Sequence, residues 1–265
     1  MAKARMQAGG SQLWRISAEV DRALREFVDR QPVSSFYDVV RYHLGWRPEA
    51  PSRLRAGAVL CVLACQACGG RYQDALPAAL AIALIRGFAA NEQDLECHRA
   101  VRHGAPSAWH VWGQAQAMNA GDGLHALAKM ALLDARGRLP ASAVLHLEDE
   151  LDECCLRYCE AIHDELACSS GGDQLERTAF TAGVMFGCAA SFGCYLAGAE
   201  NSPADERLRE FGNLLGAAAR MRLLAPDRAR KLHSQAVAAL AGAGLSGEPL
   251  AELRSLADAV LHMPE

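Results

Sequence analysis

Two stretches of this chain are apolar on every side of a helix. Arg53–Cys68 and Ala75–Ala90 are built from alanine, leucine, isoleucine, valine and cysteine with no polar stripe. A helix apolar all round cannot lie at a surface and must be wrapped by others. Two such segments call for a large helical bundle with both at its centre, not a thin up-and-down one. Aromatic residues make up only 6% of the chain, and β-branched residues are scarce beside alanine and leucine, which disfavours a sheet. The whole length, 265 residues, reads as one all-α domain, residues 1–265.

The remaining segments follow a helical period. Ile16, Val20, Leu24, Phe27 and Val28 line one face of a helix over Trp14–Val28 that Pro32 ends. Ser34 or Ser35 caps the next helix, to about Leu44. Gly45–Pro51 reads as a loop, and Gly69 and Gly70 stop the first apolar helix. Helices are predicted over Asp74–His98, Ser107–Asp134, Ser142–Ala167 and Gln174–Ala199, with Gly104–Pro106 a turn and Cys168–Asp173 a loop. Ser202-Pro203 starts another, which Pro226 breaks, and two short helices flank Gly242–Gly247. No strand is predicted.

The net charge of −4 carries no basic stripe, which argues against a nucleic-acid partner. Ala75–Ala90 comes nearest to a membrane span, but Arg86 interrupts it, so no span is expected. Basic residues near the N-terminus are followed by no apolar core, which predicts no signal peptide and a cytoplasmic chain. The ten cysteines lie within helical patterns and do not read as a disulfide scaffold. Cys61, Cys65 and Cys68 share a helix face, and Cys155 and Cys159 make a similar pair beside Cys154. A soft-metal site, a redox pair and simple apolar packing all fit that spacing.

Three stretches carry a resemblance. Arg41-Tyr42-His43-Leu44-Gly45-Trp46 precedes Ala50-Pro51-Ser52-Arg53-Leu54-Arg55 and then Cys68-Gly69-Gly70. Trp109–Leu127 has Gly121-Asp122 near its centre, and Leu196–Ala199 is followed by Leu208–Gly212 and Leu215-Gly216. Together, over about Tyr37–Asp227, they are similar to the polyprenyl (isoprenoid) diphosphate synthase family. The resemblance implies a bundle of about ten mostly antiparallel helices around a central cavity. It also implies chemistry: two aspartate-rich motifs hold magnesium, and the metal neutralises a leaving diphosphate.

The chain departs from that machinery. The first Asp-Asp-x-x-Asp motif falls on Gln93–Cys97, where Asp94 alone remains, with Glu92 and Glu96 beside it. The second falls on Leu223–Asp227, leaving Asp227. The family's diphosphate-site lysine is Ser52 here, with Arg53 next to it; its histidine is Arg86, and its paired arginines are Arg102 and His103. The Lys-Thr pair aligns with Thr181-Ala182, and the glutamine before the second motif is Arg220, with Arg222 after it. Losing one charge-stabilising donor typically costs ~10² to 10³ in rate.

Two functions follow from the resemblance. The leading one is a homologue without catalytic residues, a regulatory partner in isoprenoid biosynthesis that forms a homodimer or a heterodimer with an active prenyl synthase. Plant helper subunits of the family carry Cys-x-x-x-Cys, which Cys61–Cys65 matches. Trp109–Leu133 is the expected dimer face. The alternative is a prenyltransferase, a terpene-cyclase-like enzyme or a prenyl diphosphate binder. In that reading Arg53, Arg86, Arg102, His103, Arg220 and Arg222 replace metal as the clamp on the isoprenoid diphosphate. Asp94 and Asp227 are weak metal remnants, so no cofactor beyond weakly held magnesium is expected. Arg220 is expected to pair with Asp94, or else with Glu92 or Glu96, where the metals would sit.

Overall fold

The two apolar stretches become adjacent central helices. The structure, a computed structural model, describes residues 12–47, 53–167 and 172–263. Its described helices are α1 (Gln12–Asp29), α2 (Ser35–His43), α3 (Ala56–Ala67), α4 (Tyr72–Glu96), α5 (Ala108–Trp112) and α6 (Gln114–Leu133). They continue with α7 (Ala141–Ala167), α8 (Gly172–Leu196), α9 (Pro203–Leu224), α10 (Pro226–Ala239) and α11 (Gly247–His262). A 3₁₀ turn, Leu240–Gly242, joins the last two. Every residue of α3 from Ala56 to Cys65 is buried, and so is most of α4 from Ala75 to Ile85. Around them pack α1, α6, α8 and α11.

The local signals act as their chemistry dictates. Ser34 accepts the backbone N–H of Phe36 and caps α2, and Ser202 accepts that of Asp205 ahead of Pro203 in α9. Gly69, at φ +86°, turns the chain out of α3. Ala225 leaves helical geometry, and Pro226 restarts the chain as the first residue of α10. Both α4 and α8 are long and apolar enough to cross a membrane by length and composition. Yet 61% and 67% of their most apolar windows lie buried inside the bundle.

The structure corrects three expectations. Ser107–Asp134 is not one helix: Gly113, at φ +82°, splits it into α5 and α6. A small hairpin does form, β1 (Val101–Arg102) antiparallel to β2 (Ala105–Pro106), although no strand was predicted. His103 and Gly104, at φ +50° and +70°, make its two-residue turn, the positive-φ geometry that matches strand twist. Much of the predicted Cys168–Asp173 loop, and residues 48–52 with Ser52, lie outside the described residues, and α8 already begins at Gly172.

Glycines let α9 cross α8 with the backbones in contact. A Cβ on Gly212 of α9 would sit 2.4 Å from the Phe186 carbonyl oxygen of α8, and one on Gly216 2.4 Å from that of Ala182. These backbones touch with nothing between them, so α9 is fixed in register on α8 and Arg220 is placed one turn beyond Gly216.

Candidate functional site

Asp94 stands near the end of α4, and its side chain is 2% exposed. The chain leaves α4 at Cys97, turns through His98 at φ +47°, and the hairpin brings Arg102 back over the helix end. Arg102 Nε donates to both carboxylate oxygens of Asp94, at 2.8 and 2.7 Å. Its terminal nitrogen reaches the Ala90 carbonyl at 3.1 Å and the Gln93 side-chain oxygen at 3.2 Å. Arg99 adds a second guanidinium 3.6 Å from Asp94. The buried carboxylate is thus neutralised from its own loop. This corrects the expected Arg220–Asp94 pair: the hairpin is eight residues away along the chain and gets there first.

A second group of cations lies near α2, α3 and α4. Arg86 runs across Gly57 of α3, and its guanidinium sits over the Phe186 ring, 4.2 Å from the centroid. Burial pushes its pKa down to about 10, and Arg102 adds to the fall against a partial offset from Tyr158. Arg53 packs its guanidinium against Gly45 and is held at about 10 by burial, then by Arg55, Arg47 and Arg102. Among the described residues neither Arg53 nor Arg86 has a carboxylate within 4 Å. His43, which the sequence reading did not single out, donates its Nε2–H to the Gly87 carbonyl at 2.9 Å. Burial, reinforced by Arg102 and Arg53, lowers its pKa to about 4, so the ring is neutral at pH 7.

Acidic groups face the other side of α4. Gly121 of α6 lets that helix close on α4, where an added Cβ would fall 2.8 Å from a Glu92 oxygen. Asn91 bridges the same helices through the Ala117 carbonyl at 2.7 Å. Burial raises the Glu92 and Glu96 pKa values, with Asp122 adding to the first and Glu92 and Glu165 to the second. Tyr158 donates to the Ala89 carbonyl at 3.0 Å beside them. Arg220 is half-buried and makes no ion pair within 4 Å among the described residues. Burial lowers its pKa, Glu165 opposes that, and Arg99 and Arg102 deepen it. Arg220 therefore feels Glu165 and the cations Arg99 and Arg102, and is not the ion-pair partner of Asp94.

The last predicted residues lie apart. Arg222 donates to the Met263 carbonyl and ties α9 to the end of α11. Asp227 is 96% exposed at the start of α10 and pairs with Arg230. His103 stands exposed in the hairpin turn. Magnesium asks for several hard oxygens in octahedral array. The donor set does not fit it: Asp94 is taken by Arg102, Asp227 faces solvent, and no three Asp, Glu, His or Cys side chains gather to hold a metal among the described residues. Two surface clefts, ≈ 540 Å³ beside Asn201, Arg209 and Asn213 and ≈ 200 Å³ beside Phe27, Met130 and Arg136, are lined by none of the predicted arginines.

Comparison with known proteins agrees with this architecture. The polyprenyl synthetase family model matches residues 53–221. The chain is 29% identical to a geranylgeranyl diphosphate synthase of Mycobacterium tuberculosis, over 79% of this chain and 62% of that one. It is 30% identical to the same enzyme of Methanosarcina mazei, over 76% and 61%. The chain thus spans less than two thirds of the length of these relatives. A third match, 33% identical over 42% of this chain and 33% of the other, is the chloroplastic small subunit of a heterodimeric geranylgeranyl pyrophosphate synthase of Arabidopsis thaliana. A geranylgeranyl pyrophosphate synthetase from the archaeon Geoglobus acetivorans shares the fold, with TM-score 0.83 and 19% identity over 96% of this chain and 100% of that one. A mint heterotetrameric geranyl pyrophosphate synthase shares it at TM-score 0.70 and 19% identity, over 92% and 97%.

Proposed function

The chain belongs to the polyprenyl synthetase family, and from that premise we infer that it serves isoprenoid biosynthesis as a partner subunit of an active prenyl diphosphate synthase, without condensing substrates itself. The observation that carries this reading is the Arg102–Asp94 pair. The one carboxylate left at the first metal motif is buried and already bonded at both oxygens. A metal would have to displace two charge-assisted hydrogen bonds to reach it. The small subunit of the Arabidopsis heterodimer and the mint heterotetramer give the reading its precedent for assembly. Val111, Trp112, Met118 and Met130 stand exposed on α5 and α6, the stretch where such a subunit is expected to pair. We place this pairing in the cytoplasm, where the chain's many thiols stay reduced.

A second reading is favoured by Arg86 and Arg53. Both are cations shifted by burial that lack a carboxylate within reach among the described residues. An isoprenoid diphosphate would supply the missing charge, with guanidinium groups in place of metal. The chain would then bind a prenyl diphosphate, or act on one as a prenyltransferase or cyclase.

One experiment separates the two. The tagged full chain is recovered from its native cell, and prenyl transfer is assayed for the chain, its co-purifying partner and the mixture. Partnership requires a co-purifying synthase whose rate or product changes on mixing, with no turnover by the chain alone. Magnesium-dependent condensation by the chain alone, lost in Asp94→Ala, would overturn it.

A further inference from the structure

Two thiols from different helices meet where α3 ends. Cys68 caps α3, and Cys194 lies in the last turn of α8, 126 residues later; their sulfurs are 3.8 Å apart. The backbones carrying them are held together by Gly193. A Cβ there would lie 2.3 Å from the Cys61 carbonyl oxygen and 2.7 Å from the Cys65 nitrogen. The helix carriers therefore cannot drift apart, while Cys68 keeps some freedom. It stands just before Gly69, at φ +86°, where the chain leaves the helix. Cys194 is fully buried and Cys68 half-buried, so Cys68 is the more open residue of the pair.

We propose that Cys68 and Cys194 form an oxidation site at which hydrogen peroxide joins α3 to α8 through a reversible disulfide. The Cys68 thiolate attacks one peroxide oxygen, the O–O bond breaks and hydroxide leaves, giving a sulfenic acid. The Cys194 sulfur then attacks the Cys68 sulfur; the Cys194 proton and the sulfenic hydroxyl depart as water. In balance, two thiols lose two electrons and one peroxide becomes two waters. Closing the gap from contact to a bond of about 2.05 Å needs side-chain rotation at Cys68, which its place at the helix end allows.

The neighbouring sulfurs sort themselves around this pair. Contact with Cys194 holds the Cys68 thiol below its ordinary value, which favours thiolate at the more open residue. Burial pushes the Cys61 thiol well up and that of Cys65 up to about 12, so both stay protonated. A second pair is Cys154 of α7 with Cys188 of α8, where the neighbouring Cys154 and then burial raise the Cys188 thiol. It serves as an internal control for selectivity.

The test is made on the full chain, purified under reduction and exposed to hydrogen peroxide in rising amounts. Free thiols are alkylated, and the peptides are mapped by mass spectrometry without reduction. The expected product is one Cys68–Cys194 cross-linked peptide, two thiols lost per chain, and reversal by dithiothreitol. A cross-link across a loop this long should raise the melting temperature by roughly 5 °C or more. Cys68→Ser should abolish both signals, and Cys154→Ser should leave them intact. Recovery of Cys68 only as sulfinic or sulfonic acid overturns the proposal, as does a Cys154–Cys188 link in its place. The wild-type peptide map decides the matter even if a cysteine variant fails to fold.

Discussion

The Arg86 guanidinium lies face-on to the Phe186 ring, 4.2 Å from its centre, with its stem laid across Gly57. This cation is destabilised by its setting, since burial brings its pKa down to about 10. A cation–π contact offsets part of such a cost, by ~1–2 kcal/mol when desolvated. Replacing the charge with a side chain of similar reach should therefore leave the fold as stable or more so. Arg86→Met is expected to melt at or above the wild-type temperature in scanning calorimetry. If Arg86 holds a diphosphate, the same variant should lose binding of a prenyl diphosphate analogue by about tenfold or more, as expected for a lost charge-assisted bond. A variant that melts clearly lower would show that the charge supports the fold instead.

Arg102 has the opposite role. Removing one partner of a buried ion pair typically costs ~3–5 kcal/mol. Arg99 at 3.6 Å should recover part of that for Asp94. Arg102→Ala is expected to lower the melting temperature by about 6–10 °C. Combining it with Asp94→Leu should return part of the loss, because no buried carboxylate is then stranded. An additive double variant would show that the two groups are not coupled.

His43 gives a pH signature. Its folded pKa, about 4, lies below the ordinary histidine value. Between the two values the unfolded chain binds a proton that the folded chain does not. The contribution is therefore complete above pH ~6.5 and is lost as pH falls toward the folded value. The size is about 3 kcal/mol across that window. His43→Gln keeps a donor for the Gly87 carbonyl but cannot titrate. Urea unfolding of both proteins from pH 7.5 to 4.5 should show wild-type stability falling more steeply than that of the variant. Parallel curves would count against a neutral, buried His43.

Met118 and Met130 of α6 stand exposed, as do Val111 and Trp112 of the preceding segment. Burying charge at an apolar contact is costly, and a pair of glutamates should break it. If the proposed pairing runs through these residues, Met118→Glu with Met130→Glu is expected to give a monomer in multi-angle light scattering at micromolar concentration. The melting temperature of the monomer itself should change little, since both positions face solvent there. An unchanged assembly would move the interface elsewhere.

The sequence made the centre of the fold legible because Ala56–Cys65 and Ala75–Ile85 have no polar side on which they could face water. Ser34 and Ser202 announced helix starts by side-chain chemistry alone. The break at Gly113 was not readable, since a glycine inside a helical pattern is tolerated as often as it ends one. Four strand residues around His103-Gly104 leave no alternation to detect, so the hairpin was missed. That omission cost the electrostatics of the site. Without the hairpin Arg102 reads as a loop residue, and Arg220 is the natural partner for Asp94. His43 is illegible in the sequence for a related reason: its role rests on burial and on the Gly87 carbonyl, neither visible in the order of residues. Asp94 and the arginines could be named in advance; which of them touch could not.

The hairpin has one more consequence. It makes Arg102 a counter-ion on a tether only eight residues from the carboxylate it serves. A group held on so short a tether acts at an effective concentration of roughly millimolar or above. Dilution cannot lower that figure, and neither can the ionic make-up of the surrounding fluid. Dissolved divalent cations must compete for Asp94 against a ligand that never diffuses away. A chelator strips metal from a cluster of carboxylates; it has no means of stripping Arg102 from this one.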